Sequence, residues 1–387
     1  MALLILFLAF PLFLFLFKRY KNKTIHLPPG PNGLPLVGNL HQLDSSNRQK
    51  YLWQLSRKYG PLVFLRLGFK PTLVVSSAIM AKEILQTYDL EFCSRPVFTG
   101  QRKLSYNNLD FAFAPYNAYW REMRKMCVVH LFNSSRVQRF RPIREEEVSL
   151  LIGKIWESAS AASKPFDLSE ALMSLNHTII CRIAFGKSYE DGGRERARIQ
   201  ELILETQVML ASFFLSDYFP CMGWADRIIT GLTPRLEKNF KEMDAFYQEI
   251  IDEHLDPKKP KPPQEDMLDV LLQIYKDSSF KVQLTFEHIK AILMNVYVPG
   301  TDTSAATVTW AMSFLMKNPL TMEKAQREVR SLVGNKGFVN EDDLEQLPYL
   351  KAVIKEAMRL QPPVPLLLPR EATRQCKVGG YQIPAKT

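Results

Sequence analysis

At 387 residues and 46% hydrophobic content the chain can bury a large core in one big domain or two smaller ones. Its 11% aromatic and 23% charged content rules out wholesale disorder. The formal net charge of +10 comes from dispersed basic residues without a nucleic-acid module pattern, so no nucleic acid is expected as partner; a basic surface suits anionic lipid headgroups or an acidic protein. Cys93, Cys127, Cys181, Cys221 and Cys376 are far apart and form no C-x-x-C pair, which argues against a disulfide framework or a zinc site and for reduced, packed thiols.

In chain order, the first predicted element is residues 2–17, an unbroken apolar run ending at Lys18 and Arg19. It is slightly shorter than the ~20 residues that comfortably span a bilayer, and Tyr20 and the flanking lysines extend it by snorkelling. Two readings are open, a membrane anchor and a cleaved secretory signal. A signal carries positive charge before its apolar run and a small-residue cleavage site after it. Here Lys18, Arg19, Lys21 and Lys23 follow the run and no A-x-A site appears, which favours the anchor. The positive-inside rule then leaves the body in the cytosol. Behind it, Leu27-Pro28-Pro29-Gly30-Pro31 cannot be a helix interior and reads as a stiff hinge, or more blandly as a proline-rich linker. The expected division is an anchor over 1–17, a basic stop-transfer and hinge over 18–44, and the body of the protein over 45–387.

Within the body, residues 60–76 read as a β-hairpin. Helical patterns follow over 78–88, 118–131, 145–162, 169–185, 201–214 and 234–255. Residues 258–263, rich in lysine and proline, read as a surface loop. The longest helical candidate runs over 285–317, with Thr285 placed to cap it and Asn318-Pro319 to end it. Its middle is apolar nearly all round, so burial is expected on most faces. Pro299 removes the amide that would bond to Asn295, and Gly300 weakens the same turn. The pattern predicts an opened, kinked groove lined by Asp302, Thr303 and neighbouring hydroxyls; the alternative is a kinked core helix whose hydroxyls bond internally. Downstream, Glu356 and Arg359 share one helix face at i and i+3 ahead of Pro362-Pro363.

Taken together, these residues resemble the cytochrome P-450 family, particularly its microsomal plant class. The resemblance is ordered along nearly the whole chain. The apolar run and L-P-P-G-P are followed by Trp120-Arg121-Glu122-Met123-Arg124-Lys125, similar to the family's W-R-x-x-R-K helix. Phe140-Arg141-Pro142-Ile143-Arg144-Glu145-Glu146-Glu147 resembles the next helix of plant members. Then come the G-x-D-T helix at Gly300, Thr301, Asp302 and Thr303, the E-x-x-R helix, Pro369-Arg370-Glu371, and the hairpin from Gly379 to Thr387.

The resemblance implies a mainly α fold with a small β region, binding haem b. Thr303 would hydrogen-bond dioxygen at the haem, and Asp302 would help relay protons, since O–O cleavage needs protons delivered to a site otherwise closed to water. Gly300, Glu356 and Arg359 would be structural. The haem propionates need charge-assisted donors; by family position these are Arg95, Trp120, Arg124 and Arg370, each arginine having a surface ion pair as its alternative. The pocket would draw on residues 99–117, the kinked helix, and Val364, Leu366, Leu367 and Leu368, whose apolar side chains suit a small hydrophobic or aromatic substrate. The implied partners are NADPH-cytochrome reductase, O2 and the membrane, with the protein anchored in the endoplasmic reticulum.

The sequence departs from the family pattern twice. Pro299 stands where a small residue is usual, an arrangement shared with plant members related to aldoxime oxidation. No cysteine has the F-x-x-G-x-R-x-C-x-G context of the axial ligand; near Cys376, Arg374 mimics part of it, but Val378 stands where the glycine should be. The expectation at this stage is a haem-thiolate monooxygenase scaffold that is truncated before its ligand segment, folds poorly and is inactive as it stands. The alternative is a non-catalytic, membrane-anchored product that associates at most with full-length relatives or the reductase.

Overall fold

Helices dominate because the periodic apolar stretches come with their own caps. The computed structural model describes residues 26–44, 46–160, 165–189, 193–258, 264–277 and 279–387. The apolar run and its basic flank lie outside the described residues, as does the lysine–proline loop from residue 259 to 263. Among the described residues, no single helix is long and apolar enough to cross a membrane.

In chain order the elements are α1 (Arg48–Tyr59), β1 (Leu62–Leu67), β2 (Lys70–Val75), α2 (Ala78–Lys82), α3 (Asp89–Phe92), α4 (Thr99–Leu104), α5 (Ala118–His130), α6 (Ser134–Arg139), α7 (Arg141–Ser160) and α8 (Leu168–Phe185). They continue as α9 (Arg194–Ala211), α10 (Leu215–Tyr218), α11 (Gly223–Ile228), α12 (Leu232–Leu255), α13 (Met267–Lys276), α14 (Phe286–Lys317), α15 (Pro319–Val333), α16 (Pro348–Leu360), β3 (Cys376–Val378) and β4 (Tyr381–Ile383). The fold is mainly helical with a small β region, as expected. Side-chain oxygens of Asn47, Asn117, Asn133 and Asp167 accept the free amides at the starts of α1, α5, α6 and α8. α7 starts earlier than its apolar pattern, because Pro142 is well placed in a first helical turn. The helix expected over 78–88 widens after Lys82 into a π turn, with the Tyr88 amide bonded to the Glu83 carbonyl at 2.8 Å.

The contacts divide the chain into two compact units. The first takes in residues up to Thr99, Phe213–Pro234 and Leu366–Thr387. It holds both hairpins: β1 and β2 pair antiparallel from Leu62 opposite Val75 to Leu67 opposite Lys70, and β3 and β4 pair around Gly379 and Gly380. Both glycines have positive φ, as a tight two-residue hairpin turn requires. Leu62, Ile84, Phe92, Ala372, Val378 and Ile383 form its core. The proline-rich segment is built onto this unit: the Phe64 amide donates to the Pro29 carbonyl at 3.0 Å, and buried Asn39 accepts the Arg66 amide at 2.8 Å.

The second unit, Gly100–Ser212 with Arg235–Pro365, contains the large core. There α14 packs on α8, α9, α13, α15 and α16, and α8 packs in turn on α7. α14 begins at Thr285 with a reciprocal capping pair, Thr285 and His288.

Gly38 tests the packing of the first unit. It has φ +64°, and a Cβ there would lie 2.1 Å from the Arg66 carbonyl oxygen; Gly231 has a similar φ of +65° with open space around it. Gly38→Ala is expected to lower unfolding free energy by roughly 3 kcal/mol or more, against roughly 1 kcal/mol for Gly231→Ala, in matched denaturant melts.

Candidate functional site

α14 is where sequence, burial and chemistry meet. From Ile289 to Asn295 every side chain is buried, and so are Tyr297, Val298 and Thr301. Pro299 lies inside the helix, which continues through it to Lys317. Carbonyls on either side of the proline receive side-chain amides: Asn176 of α8 donates to the Thr301 carbonyl at 3.3 Å, and Gln207 of α9 to that of Val298 at 3.4 Å. Those donors accompany the local loosening that a proline imposes on a helical ladder.

The hydroxyls of this turn bond internally. Thr301 donates to the Tyr297 carbonyl at 2.9 Å, and Thr303 to that of Pro299 at 3.0 Å. Thr303 and Asp302 are half-buried. With its one proton donated backwards, the Thr303 oxygen keeps acceptor capacity. Gly300 faces α8, where an added Cβ would lie 3.0 Å from Ile180 Cδ1. The missing side chain therefore permits close approach of two helices.

Around this turn the structure builds two polar clusters that sequence reasoning missed. One is a triangle of His177, Cys181 and Tyr297: the Tyr297 hydroxyl lies 3.3 Å from His177 Nδ1, Cys181 Sγ 3.6 Å from that hydroxyl, and His177 Nε2 3.7 Å from Sγ. Burial drives the His177 pKa down to about 4, so the ring is neutral. The other is Asp110 with Asn295. Burial pushes the Asp110 carboxyl up to about 6, against the hydrogen bonds it accepts from Asn295 and backbone amides. Their one sequence signal is a polar residue inside an apolar run.

In the same unit, Trp120 and Arg124 lie on α5. The Trp120 indole donates to the Phe111 carbonyl at 2.9 Å, and the exposed Arg124 guanidinium lies over the indole at 5.4 Å. Glu356 and Arg359 form a bidentate pair at 2.7 Å, with side chains 56% and 67% exposed. The N-terminus of α16 is instead held by Glu328 of α15, which accepts the amides of Tyr349 and Leu350 at 2.9 Å each. Val364 is exposed.

The remaining expected residues belong to the first unit. Arg370 pairs with Asp89 at 2.8 Å. Arg95 donates to the carbonyls of Leu368 at 3.1 Å and Pro369 at 3.0 Å, tying the turn on which Leu366, Leu367 and Leu368 stand exposed. Leu367 has φ +59°, so this turn is strained as well as pinned.

The family model for Cytochrome P450 matches residues 28–387. The chain belongs to the cytochrome P450 family. It is 49% identical over 394 residues to a 6,7,8-trihydroxycoumarin synthase of Pastinaca sativa, covering 99% of this chain and 77% of that protein. It is 43% identical over 396 residues to a strychnine-11-hydroxylase of Strychnos nux-vomica, covering 100% of this chain and 77% of that protein. Among solved structures, a zebrafish cytochrome P450 with progesterone superposes with a TM-score of 0.73 at 26% identity, over 87% of this chain and 76% of that one. By family this cytochrome P450 is an oxidoreductase, a monooxygenase of plant secondary metabolism.

The family implies a haem, an apolar ring with two carboxylates. The donors of the second unit fit such a group in kind: the guanidinium of Arg124 stacked on an indole, and a half-buried carboxylate and hydroxyl on a largely apolar helix. The cysteines are a separate matter. Burial pushes the Cys127 and Cys181 thiols up to about 12 and raises those of Cys93 and Cys376, whereas a thiolate needs electropositive surroundings.

Among the described residues, one His/Asp/Asp cluster, His254, Asp266 and Asp269, gathers its ligand atoms within 4.8 Å. Its polar atoms are already committed. His254 Nδ1 bonds to the Ile250 carbonyl at 2.8 Å and Nε2 to Asp266 at 2.9 Å, while Asp266 and Asp269 cap α13 reciprocally. Burial opposes charge on His254, but these bonds outweigh it and raise its pKa. The folded state thus holds this proton more tightly than the unfolded chain. The resulting stability is complete below about pH 6.5 and is lost as pH rises through the higher folded value. His254→Gln is expected to flatten the fall in unfolding free energy as pH rises above about 6.5, read from urea melts.

Proposed function

We propose that this cytochrome P450 hydroxylates a small aromatic plant metabolite of the coumarin class, using Asp302 and Thr303 to manage protons. The reading rests on one observation: a half-buried carboxylate and hydroxyl occupy consecutive positions on α14, at the turn where Pro299 interrupts the ladder. The printed names of relatives that make 6,7,8-trihydroxycoumarin and 5-OH-xanthotoxin support the substrate class.

Bound haem supplies the redox chemistry that cleaves dioxygen and inserts one oxygen atom into the substrate. In the second unit Trp120 and Arg124 would hold its carboxylates, and in the first Arg95 and Arg370 are donors of the same kind. Thr303 accepts a hydrogen bond from water or a reacting group while its own proton rests on the Pro299 carbonyl. Asp302 takes up protons from solvent and passes them inward, which its partial exposure permits. Val364, Leu366, Leu367 and Leu368 would give the substrate apolar contact.

Electrons come from NADPH-cytochrome reductase. Residues 2–17 anchor the protein in the endoplasmic reticulum membrane with the body in the cytosol. Resistance of the full chain to alkaline carbonate extraction, lost on deletion of residues 2–17, is the expected outcome; extraction of the intact chain would overturn that placement.

Thr303→Val and Asp302→Asn are each expected to lower product formation from 7-hydroxycoumarin by about 100-fold in haem-loaded, reductase-supplied protein. NADPH consumption should fall much less. Undiminished product in both variants would overturn the assignment.

A further inference from the structure

Residues 105–113 follow an unusual path. Tyr106, Asn107 and Asn108 have φ of +52°, +61° and +64°, a run that costs conformational energy at each residue. Such a path persists only where the surroundings over-determine it. Ser105 is fully buried, and its hydroxyl accepts the Asn108 amide at 3.0 Å. The Tyr106 hydroxyl donates to Asp244 of α12 at 2.9 Å, and Lys290 of α14 donates to the same oxygen at 2.6 Å. Tyr119 holds the Leu109 carbonyl at 2.8 Å.

The centre of the arrangement is a pair of fully matched polar side chains. Asn295 Oδ1 accepts the amides of Phe111 at 3.3 Å and Ala112 at 3.1 Å, and its Nδ2 donates to Asp110 Oδ2 at 2.9 Å. Asp110, with no exposed surface, accepts the Phe113 amide at 3.2 and 3.1 Å through its two oxygens. Three consecutive loop amides are therefore satisfied by two side chains. Asn295 is also the residue whose carbonyl loses its helical donor to Pro299.

We propose that Asp110 and Asn295 are a positioning pair: they fix the path of residues 105–113 against α14 and thereby set which aromatic ligands the pocket admits. The selectivity clause rests on the proposed function together with the pocket lining by residues 99–117 that the family resemblance implies. The pairing is directional. Backbone amides can only donate, so Asn295 must present its oxygen to Phe111 and Ala112 and its NH2 to Asp110. Asp110→Asn alone turns one acceptor into a donor facing another donor. The exchanged pair D110N/N295D rebuilds the bond between the two side chains and keeps one acceptor for Phe113, with one carboxylate conserved. In it the side-chain amide on the loop accepts from Phe113 and donates to the carboxylate on α14, which accepts from Phe111 and Ala112.

The test uses the haem-loaded full chain, with Asn295→Leu, Asp110→Asn and the exchanged pair. Amide hydrogen exchange is followed in residues 105–113 and, as a reference, in α13. Ligand binding is followed as the ratio of spectral dissociation constants for 7-hydroxycoumarin and the larger tricycle psoralen. Each single variant is expected to speed exchange in 105–113 by about tenfold or more, to leave α13 nearly unchanged, and to shift the ratio several-fold, while the exchanged pair returns both readouts towards wild type. Unchanged loop exchange, an equal acceleration in α13, or an exchanged pair as loose as the singles would overturn the positioning role. Localised and rescued exchange with a constant ratio would overturn the selectivity role. Wild-type protein that binds neither probe would sink the coumarin-class reading instead, with exchange alone then deciding the positioning role.

Discussion

A helix buried almost throughout from Ile289 to Val298 must not leave polar groups unpaired there, and α14 meets that constraint while carrying a proline directly after. An unsatisfied buried donor or acceptor costs about 1–3 kcal/mol, a large part of a domain's net stability. The neighbouring helices answer with side chains. Asn176 and Gln207 reach carbonyls around Pro299, Thr301 and Thr303 turn their protons back along the helix, and Tyr297 closes a ring with His177 and Cys181. Packing of α8 and α9 against α14 is thus set by hydrogen bonding as much as by apolar contact. Gly300 is the counterpart in shape, since its missing side chain leaves room for Ile180.

The charged groups follow a different logic. Arg370, Glu356 and Arg359 are exposed and paired with near neighbours, where an ion pair contributes little to stability. Their partners can be exchanged at small cost. Asp110 and Lys290 sit in drier surroundings, and there a mismatched partner is expensive. The interior charges fix shape, and the surface charges stay available.

Much of this was legible in the sequence. The helical class, the first hairpin, the capped start of α14 at Thr285 and its end at Asn318 follow from periodicity, turn residues and caps, all local signals; the second hairpin came with the family resemblance. The family resemblance was carried by short ordered motifs, and the family match extends over nearly all of the chain. Roles inside the site were less legible. Gly300 reads in sequence as a weakening of the helix, but its meaning comes from Ile180, a residue on another helix. Asp110 and Asn295 carry no motif, because what they bind is backbone: Asn295 serves an amide 184 residues away in sequence. Backbone amides are the same whatever the residue, so such pairings leave almost no trace in a sequence. The π turn after Lys82 has no local signature that we can identify.

The loop at 105–113 also bears on how such a protein changes over generations. Its course is written in main-chain bonds and in a few inward-facing anchors, Ser105, Tyr106, Asp110 and, from α14, Asn295. The side chains of Phe111, Ala112 and Phe113 take no part in those bonds, which use only the amides of these residues. Side-chain changes at these positions therefore leave those bonds in place, within what the packing of Phe111, Ala112 and Phe113 on the core allows. A scaffold built this way separates inheritance of form from experiment with ligands, so new chemistry can be explored one side chain at a time on an unchanged frame.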